Sequence, residues 1–568
     1  MPSAVNKPAP GVSFFSPHQE TASGTALSKE VPSLFQPLTI RGVTFQNRIF
    51  LSPMCQYSAV DGHITPWHTA HYGGIITRGP GLSIIEATAI LANGRTCPED
   101  LGIWSDDHVR TLTPLVELAH SQSQKIGIQL AHGGRKSSTV APWLSGQALA
   151  EENVGGWPTD VVAPSPIPWA ADYATPKELS KDDIKDLLQA YKDSALRAVK
   201  AGFDVIEIHA AHGYLLHEFL SPVSNQRTDE YGGSWENRVR LILDAVDTVR
   251  GVIPQDMPLF FRISGSEGLE YLDIPSWRSE DTVRLAPLLK DRGIDLLDVS
   301  SGGNSSRQRI KGAPAYQTPL AHAVKQANIP GLIVSTVGSI TDATLAQSIL
   351  DEGRADVILV GKGFQKNPGL VWAWADELGV DIAIANQIYW GFYGRRKPRN
   401  SFSDPTRSDL FYHLIYPNSG SPPIFAVSFL PHAPLTPDSP TIIGWLPAQG
   451  AGEESGLNDF TENHKFRDVL HQAVQDGLRE GVDEVQQNGA TQLQNGWMHI
   501  HDERNIPPLG RIGDPDDIVA SVLVENGKIL ANTYQPMPAY RFCTSHGVTQ
   551  LTPGLSQKLR SLLEQLSA

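Results

Sequence analysis

Cysteine is scarce in this chain: Cys55, Cys97 and Cys543 are the three among 568 residues. Residues so far apart make neither a disulfide framework nor a CxxC metal or cluster motif, so a stapled secreted scaffold and a cysteine-held iron–sulfur centre are excluded. A reducing, cytoplasmic setting is the expectation. Long hydrophobic runs are missing too, and no stretch reads as a membrane span. The opening MPSAVNKPAPGVSFFSPHQETASG lacks the apolar centre of a secretory signal. Positive charge is in deficit, with 46 Lys+Arg against 61 Asp+Glu and a net charge of -15, which argues against nucleic acid or an anionic membrane as partner. That deficit is concentrated after residue 400, where residues 401–568 carry 10 basic and 19 acidic side chains.

The chain is too long for one hydrophobic core. Residues 1–33 are rich in Pro, Ser, Ala and Thr without periodicity and read as a flexible leader. From there to residue 399, eight apolar runs alternate with helical stretches: 48–54, 82–90, 125–132, 203–210, 258–264, 295–301, 331–338 and 355–361. Gly202, Gly293 and Gly353 each stand where a helix should stop before the next strand. Eight strand–helix units predict an α/β fold, a TIM (β/α)8 barrel over 34–399. A doubly wound sheet is the competing architecture, and the lack of GxGxxG after the first strand counts against it. Prolines and serines crowd 400–447, which reads as a linker or extended segment. Residues 448–568 predict a small α+β module: a helix at 464–482, a hairpin at 520–535 turning at Asn526-Gly527, and a closing helix at 554–566.

A TIM barrel carries its chemistry where the strands end, at their C-terminal side. The first run ends in Ser52-Pro53-Met54-Cys55-Gln56-Tyr57, the second passes Ala87, and the third contains Gln129 and continues to Arg135-Lys136. The fourth closes on His209, His212 and Tyr214, and the fifth contains Arg262. Gly338-Ser339 and Gly361-Lys362 follow the last two. Glycines there bare backbone N–H groups for a phosphate, and Lys362 adds a full charge. The pair His209-x-x-His212 has three readings. It could ligate a metal, although no third ligand stands nearby at suitable spacing. It could donate two hydrogen bonds to a carbonyl oxygen that gathers charge, or it could be plain packing. Tyr214 is equally open between proton donor and packed aromatic.

The strings NRIFLSPMCQYS (47–58), KIGIQLAHGGRK (125–136), GFDVIEIHAAHGYLLHEFLSPVSNQRTDEYGGSWENR (202–238) and GRADVILVGK (353–362) resemble the Old Yellow Enzyme family, in its thermophilic-like branch with Cys in the SPMC motif. The resemblance covers about Leu34 to Phe392. It implies FMN, with NADPH or NADH as hydride donor, and reduction of the activated C=C of small enones. Carried onto this sequence, Ser52, Pro53, Met54, Cys55, Ala87 and Gln129 line the flavin, with Arg262 at its pyrimidine end. Gly338, Ser339, Gly361 and Lys362 hold its phosphate. His209, His212 and Tyr57 bind substrate, and Tyr214 donates the proton. Two positions depart from the family pattern. Lys362 stands where Arg is usual, and Trp390 stands near the place of an Arg that reaches a neighbouring subunit in this branch. Arg395 or Arg396 could replace that Arg, so a homo-oligomer through the barrel is an option.

Two other readings remain open. One is a flavin barrel with a different oxidoreductase reaction; the other is an interaction protein whose acidic C-terminal module, of unknown partner, is the working part. His499 and His501 form a lone HxH, and no metal site is expected.

Overall fold

The computed structural model describes residues 6–567 except 146–147, 394–400, 405, 416–422, 435, 449–458, 508–510 and 512. The chain divides into two units, Met1–Phe392 and Tyr393–Ala568. In the first unit a closed barrel is formed by β1 (Ile49–Leu51), β2 (Leu82–Ala89), β3 (Ile126–Ala131), β4 (Val205–Ala210), β5 (Leu259–Ser264), β6 (Leu296–Ser300), β7 (Ile333–Thr336) and β8 (Val357–Val360). All eight are parallel and pair in sequence order, with β8 closing on β1. Each lies inside one of the eight apolar runs. Being buried on both faces, they read as continuous Val/Ile/Leu stretches rather than as alternating ones.

The helices between strands follow from their ends. Helix α1 (Lys181–Ala201) starts at Ser180, whose hydroxyl accepts from the Asp183 amide, and stops at Gly202 with φ 95°. That left-handed conformation is one that glycine adopts without Cβ strain. Gly293 and Gly353 terminate their helices with φ of 91° and 65°.

Two expectations are corrected. The leader was read as flexible, yet its described part is tied to the barrel unit. Gly24 N and Leu27 N donate to Ala383 O and Asp381 O at 2.9 Å, and Ala383 N returns a bond to Thr25 O at 2.8 Å. Gln19, buried, donates to Gln387 Oε1 at 2.8 Å. These bonds join loop to loop, so no periodicity betrays them in the sequence. The second correction concerns 400–447, which is not a bare linker. It carries β9 (Ser401–Ser403), β10 (Phe411–Ile415), β11 (Ile424–Ser428) and β12 (Gly444–Pro447), antiparallel neighbours in a five-stranded sheet completed by β13 (Thr461–Glu462). Pro423, Pro431, Pro437 and Pro440 fall between strands, where a missing N–H breaks no ladder bond.

The remaining C-terminal elements follow the sequence expectation. Helix α2 (His464–Glu480) ends at Gly481, strands β15 (Ile518–Glu525) and β16 (Lys528–Pro536) flank Asn526-Gly527, and α4 (Pro553–Ser567) closes the chain. Asn526 and Gly527 both have positive φ, 50° and 72°, as a type I′ turn requires. Strand β14 (Gly496–His501) pairs with β15, and α3 (Glu484–Leu493) precedes it. His499 bonds Ser521 Oγ at 2.8 Å.

The two units have separate apolar cores, one with buried residues from Leu34 to Ile384 and one from Leu410 to Leu563. A truncation after Arg399 is therefore expected to fold and to keep bound flavin. Circular dichroism and flavin absorbance of the truncated protein check this, and an insoluble or colourless product would show that the barrel depends on the second unit.

Candidate active site

Strand register builds a polar ring inside the C-terminal half of the barrel. Ala87 on β2 stands opposite Gln129 on β3, and Gln129 opposite Glu207 on β4. Two residues on, His209 stands opposite Arg262 on β5, Arg262 opposite Asp298 on β6, and Asp298 opposite Ser335 on β7. Side chains two apart on a strand share a face, so Glu207 and His209 point the same way. Gln129 donates to Glu207 at 2.7 Å, and Ser335 to Asp298 at 3.0 Å. Arg262 Nε lies 2.9 Å from Asp298 Oδ2, with both side chains almost wholly buried. Burial pushes the Glu207 and Asp298 carboxyls up, and Arg262 pulls both back. Desolvating such a buried ion pair is costly, so its presence is weak evidence for a purely stabilising role.

Ser52, buried, follows β1 and donates its amide to Val360 O at 3.0 Å, while its hydroxyl has no partner. At β2 a bulge between Ile85 and Ala87 turns Glu86 aside. Its carboxylate accepts from the Gln56 amide at 3.1 Å and the Tyr72 hydroxyl at 2.6 Å, which fixes the chain just past Cys55. Burial first, then the Asp100 charge, raise the Cys55 thiol well above its usual range, so it is protonated at neutral pH. Tyr57, at φ 50°, meets Trp143 edge-on at 5.4 Å.

His209, His212 and Tyr214 form one cluster at the end of β4. Ring centres lie 5.1 Å apart for His209 and His212, and 5.0 Å apart for His209 and Tyr214. The Ala211 amide donates to His209 Nδ1 at 3.2 Å, which assigns the proton of a neutral His209 to Nε2. His212 Nε2 lies 2.7 Å from Ser300 Oγ. Ser300 Oγ in turn lies 3.1 Å from Gln317 Oε1, which also accepts from Ser301 Oγ at 2.6 Å, so Ser300 links His212 to Gln317. Burial first, and Arg262 second, hold both imidazoles well below the usual histidine range. Both are neutral at pH 7. Burial and nearby Cys55 raise Tyr214 well above the ordinary phenol value.

Gly338 (φ 112°) and Ser339 (φ 53°) follow β7, and Gly361 with exposed Lys362 follows β8. A Cβ at Gly338 would lie 2.5 Å from Gln317 Nε2, and one at Gly361 2.8 Å from Met54 Sδ. Gly361 therefore lets the loop after β8 pass close over the segment Pro53-Met54. Each predicted site residue lies on or just beyond the C-terminal half of its strand. Trp390 is 64% exposed, and Arg395 and Arg396 lie outside the described residues. Sequence reasoning missed Ser300 and Gln317, which no motif marks, and gave Lys136 no role although it follows the third strand.

The NADH:flavin oxidoreductase / NADH oxidase family model matches residues 33–378. An NADH:flavin oxidoreductase of Gibberella zeae is 52% identical over 401 residues, covering 69% of this chain and 97% of that protein. An NADPH dehydrogenase of a Geobacillus species is 45% identical over 63% of this chain and 98% of its own length. The solved structure of morphinone reductase, 29% identical, overlays with a TM-score of 0.51 and covers 62% of this chain and 92% of that one. With its barrel, strand-end residues and matched family model, the chain belongs to the NADH:flavin oxidoreductase / NADH oxidase family, that of Old Yellow Enzyme, and is an NAD(P)H-dependent flavin oxidoreductase with FMN as cofactor.

Proposed function

We propose that this flavin oxidoreductase is an ene-reductase that saturates the activated C=C bond of α,β-unsaturated carbonyl compounds. The observation that carries the reading is the geometry of one cluster, two imidazoles 5.1 Å apart and a phenol 5.0 Å from one and 6.5 Å from the other, on a strand end beside a buried arginine, where burial favours neutral imidazoles and a protonated phenol. Such imidazoles donate N–H to a substrate oxygen without surrendering a proton to it. As the oxygen gathers charge, the two donors strengthen their hold. Tyr214 keeps its proton to high pH and is suited to deliver it to the α-carbon. Tyr57 would border the same substrate.

The residues present fit FMN. Ser52 has a buried hydroxyl without a partner, and Gly338 and Gly361 occupy close approaches where side chains would collide. When bound, FMN supplies hydride transfer between the nicotinamide and the substrate carbon. Ser52, Pro53, Met54, Cys55, Ala87 and Gln129 would flank its ring, and Arg262 would place a positive charge at the pyrimidine end. Gly338, Ser339, Gly361 and Lys362 would hold the phosphate. Lys362→Ala is expected to weaken FMN retention by about tenfold, the scale of one charge-assisted contact, while turnover of the loaded fraction stays unchanged. Fluorescence of FMN released on dilution measures it, and an unaltered affinity would mean that the backbone amides suffice.

The reading is tested by anaerobic turnover of cyclohexenone with NADPH, with the saturated ketone identified as product. Flavin that NADPH reduces but that transfers nothing to a panel of enones would overturn it.

A further inference from the structure

The cluster rests on a lysine that the chemistry above leaves unused. Lys136, in the loop after β3, donates from Nζ to His212 O at 3.0 Å and to Gly303 O at 3.2 Å. The same ammonium lies 4.9 Å from the centre of the Trp169 ring and 5.4 Å from that of Tyr214. Trp169 donates its indole N–H to Gly303 O as well, at 2.9 Å. An ammonium has three donors. Two are taken by the carbonyls, and the ring faces receive the rest of the charge.

The backbone that Lys136 fastens is strained. His212 sits at φ 62°, a region that residues with a Cβ rarely occupy, and Gly213 follows at φ 74°. A Cβ on Gly213 would fall 2.3 Å from Gly303 O, and one on Gly303 would fall 2.3 Å from His212. The two turns therefore touch backbone to backbone, and Lys136 bonds to a carbonyl of each. The His212 amide is held separately, by Ser264 Oγ at 2.9 Å.

We propose that Lys136 is a positioning residue for the enone half of the reaction: its ammonium fastens the His212–Gly213 turn to Gly303 and seats the Tyr214 ring. The proposal rests on the ene-reductase reading. A charged N–H donor holds a carbonyl about twice as strongly as a neutral one, and a neutral amine gives up the attraction of the ring faces. The clamp should therefore loosen when Lys136 loses its charge. Burial, aided by Arg135 and opposed by Glu218, lowers Lys136 to about 8. The clamp is charged below that pH and neutral above it.

The other groups facing this corner are Arg135, His209, His212, His217, Glu218, Arg262, Tyr173 and Tyr214. His209 and His212 are held far below this window and Tyr214 far above it. Glu218 competes, since burial raises it to about 8 as well. Replacing Lys136 by arginine separates the two, because arginine stays charged throughout while Glu218 is untouched.

The holoenzyme is to be followed by anaerobic stopped flow from about pH 6.5 to 9.5, reading flavin reduction by NADPH and reoxidation by cyclohexenone separately. The wild-type enone step should fall by about tenfold as pH rises through about 8, and the NADPH step should not follow it. Lys136→Met should run about tenfold slower in the enone step at pH 7 and lose the inflection. Lys136→Arg should keep the rate and also lose the inflection. Binding of a phenol, which imitates the enolate oxygen, should weaken in the Met variant alone. A full enone rate in Lys136→Met, equal slowing of both steps, or an inflection that survives in Lys136→Arg would overturn the proposal. Should the Met variant fail to fold, the Arg variant and the wild-type profile decide the matter. Wild-type enzyme that NADPH reduces but no enone reoxidises would instead sink the ene-reductase reading.

Discussion

Tyr214→Phe is expected to slow transfer to the enone by about a hundredfold or more, the usual scale for loss of a positioned general acid. Flavin reduction by the nicotinamide should stay within about twofold of wild type, because that step needs no proton at a substrate carbon. The substitution removes one oxygen and leaves the ring where His209 and Lys136 pack against it. Folding and cofactor retention should therefore be intact. Stopped-flow traces of the two steps check this. Equal slowing of both, or an unaffected enone step, would mean that the proton comes from elsewhere. Since burial holds Tyr214 well above the ordinary phenol value, its own deprotonation should not appear in the wild-type profile at neutral or mildly alkaline pH.

His209→Ala should produce a second large effect, of about a hundredfold on the enone step, by removing one of the two donors to the oxygen. It differs from the Tyr214 change in what else it disturbs. The Ala211 amide, buried beside it, loses its acceptor, and an unsatisfied buried donor costs about 1–3 kcal/mol. A lowered melting temperature should thus accompany the rate loss, and phenol binding should weaken in parallel. His209→Asn, which keeps an N–H donor, should recover part of the phenol affinity. Calorimetry and absorbance titration read both consequences. Undiminished phenol affinity in His209→Ala would assign the oxygen to other donors.

What the sequence by itself determined is local in origin. Eight apolar runs separated by helical stretches specify a barrel because strand and helix periodicities are written over a few residues at a time. Gly202, Gly293 and Gly353 mark helix ends because few other residues accept a left-handed φ. The strand-end residues could be named in advance because a barrel presents those positions together, whatever lies between them in the chain. The hairpin at Asn526-Gly527 was legible for the same reason.

Tertiary structure decided whatever depends on a distant partner. The leader is held by carbonyls and amides more than 350 residues away, and loop-to-loop bonds leave no pattern in either segment. The Pro-rich stretch after residue 400 carries four strands, with Pro423, Pro431, Pro437 and Pro440 between them and Pro447 at the end of one, a matter of register that composition does not reveal. Likewise, sequence placed His209 and His212 side by side but not their protons. The His209 proton follows from the Ala211 amide, and the partner of His212 is Ser300, 88 residues away. Lys136 sat in view in the GGRKS string, yet its meaning lies in two carbonyls, 76 and 167 residues onward. Hydrogen bonds of that span are fixed only when the barrel closes, since closure alone brings the ends of β3, β4 and β6 within reach of one ammonium.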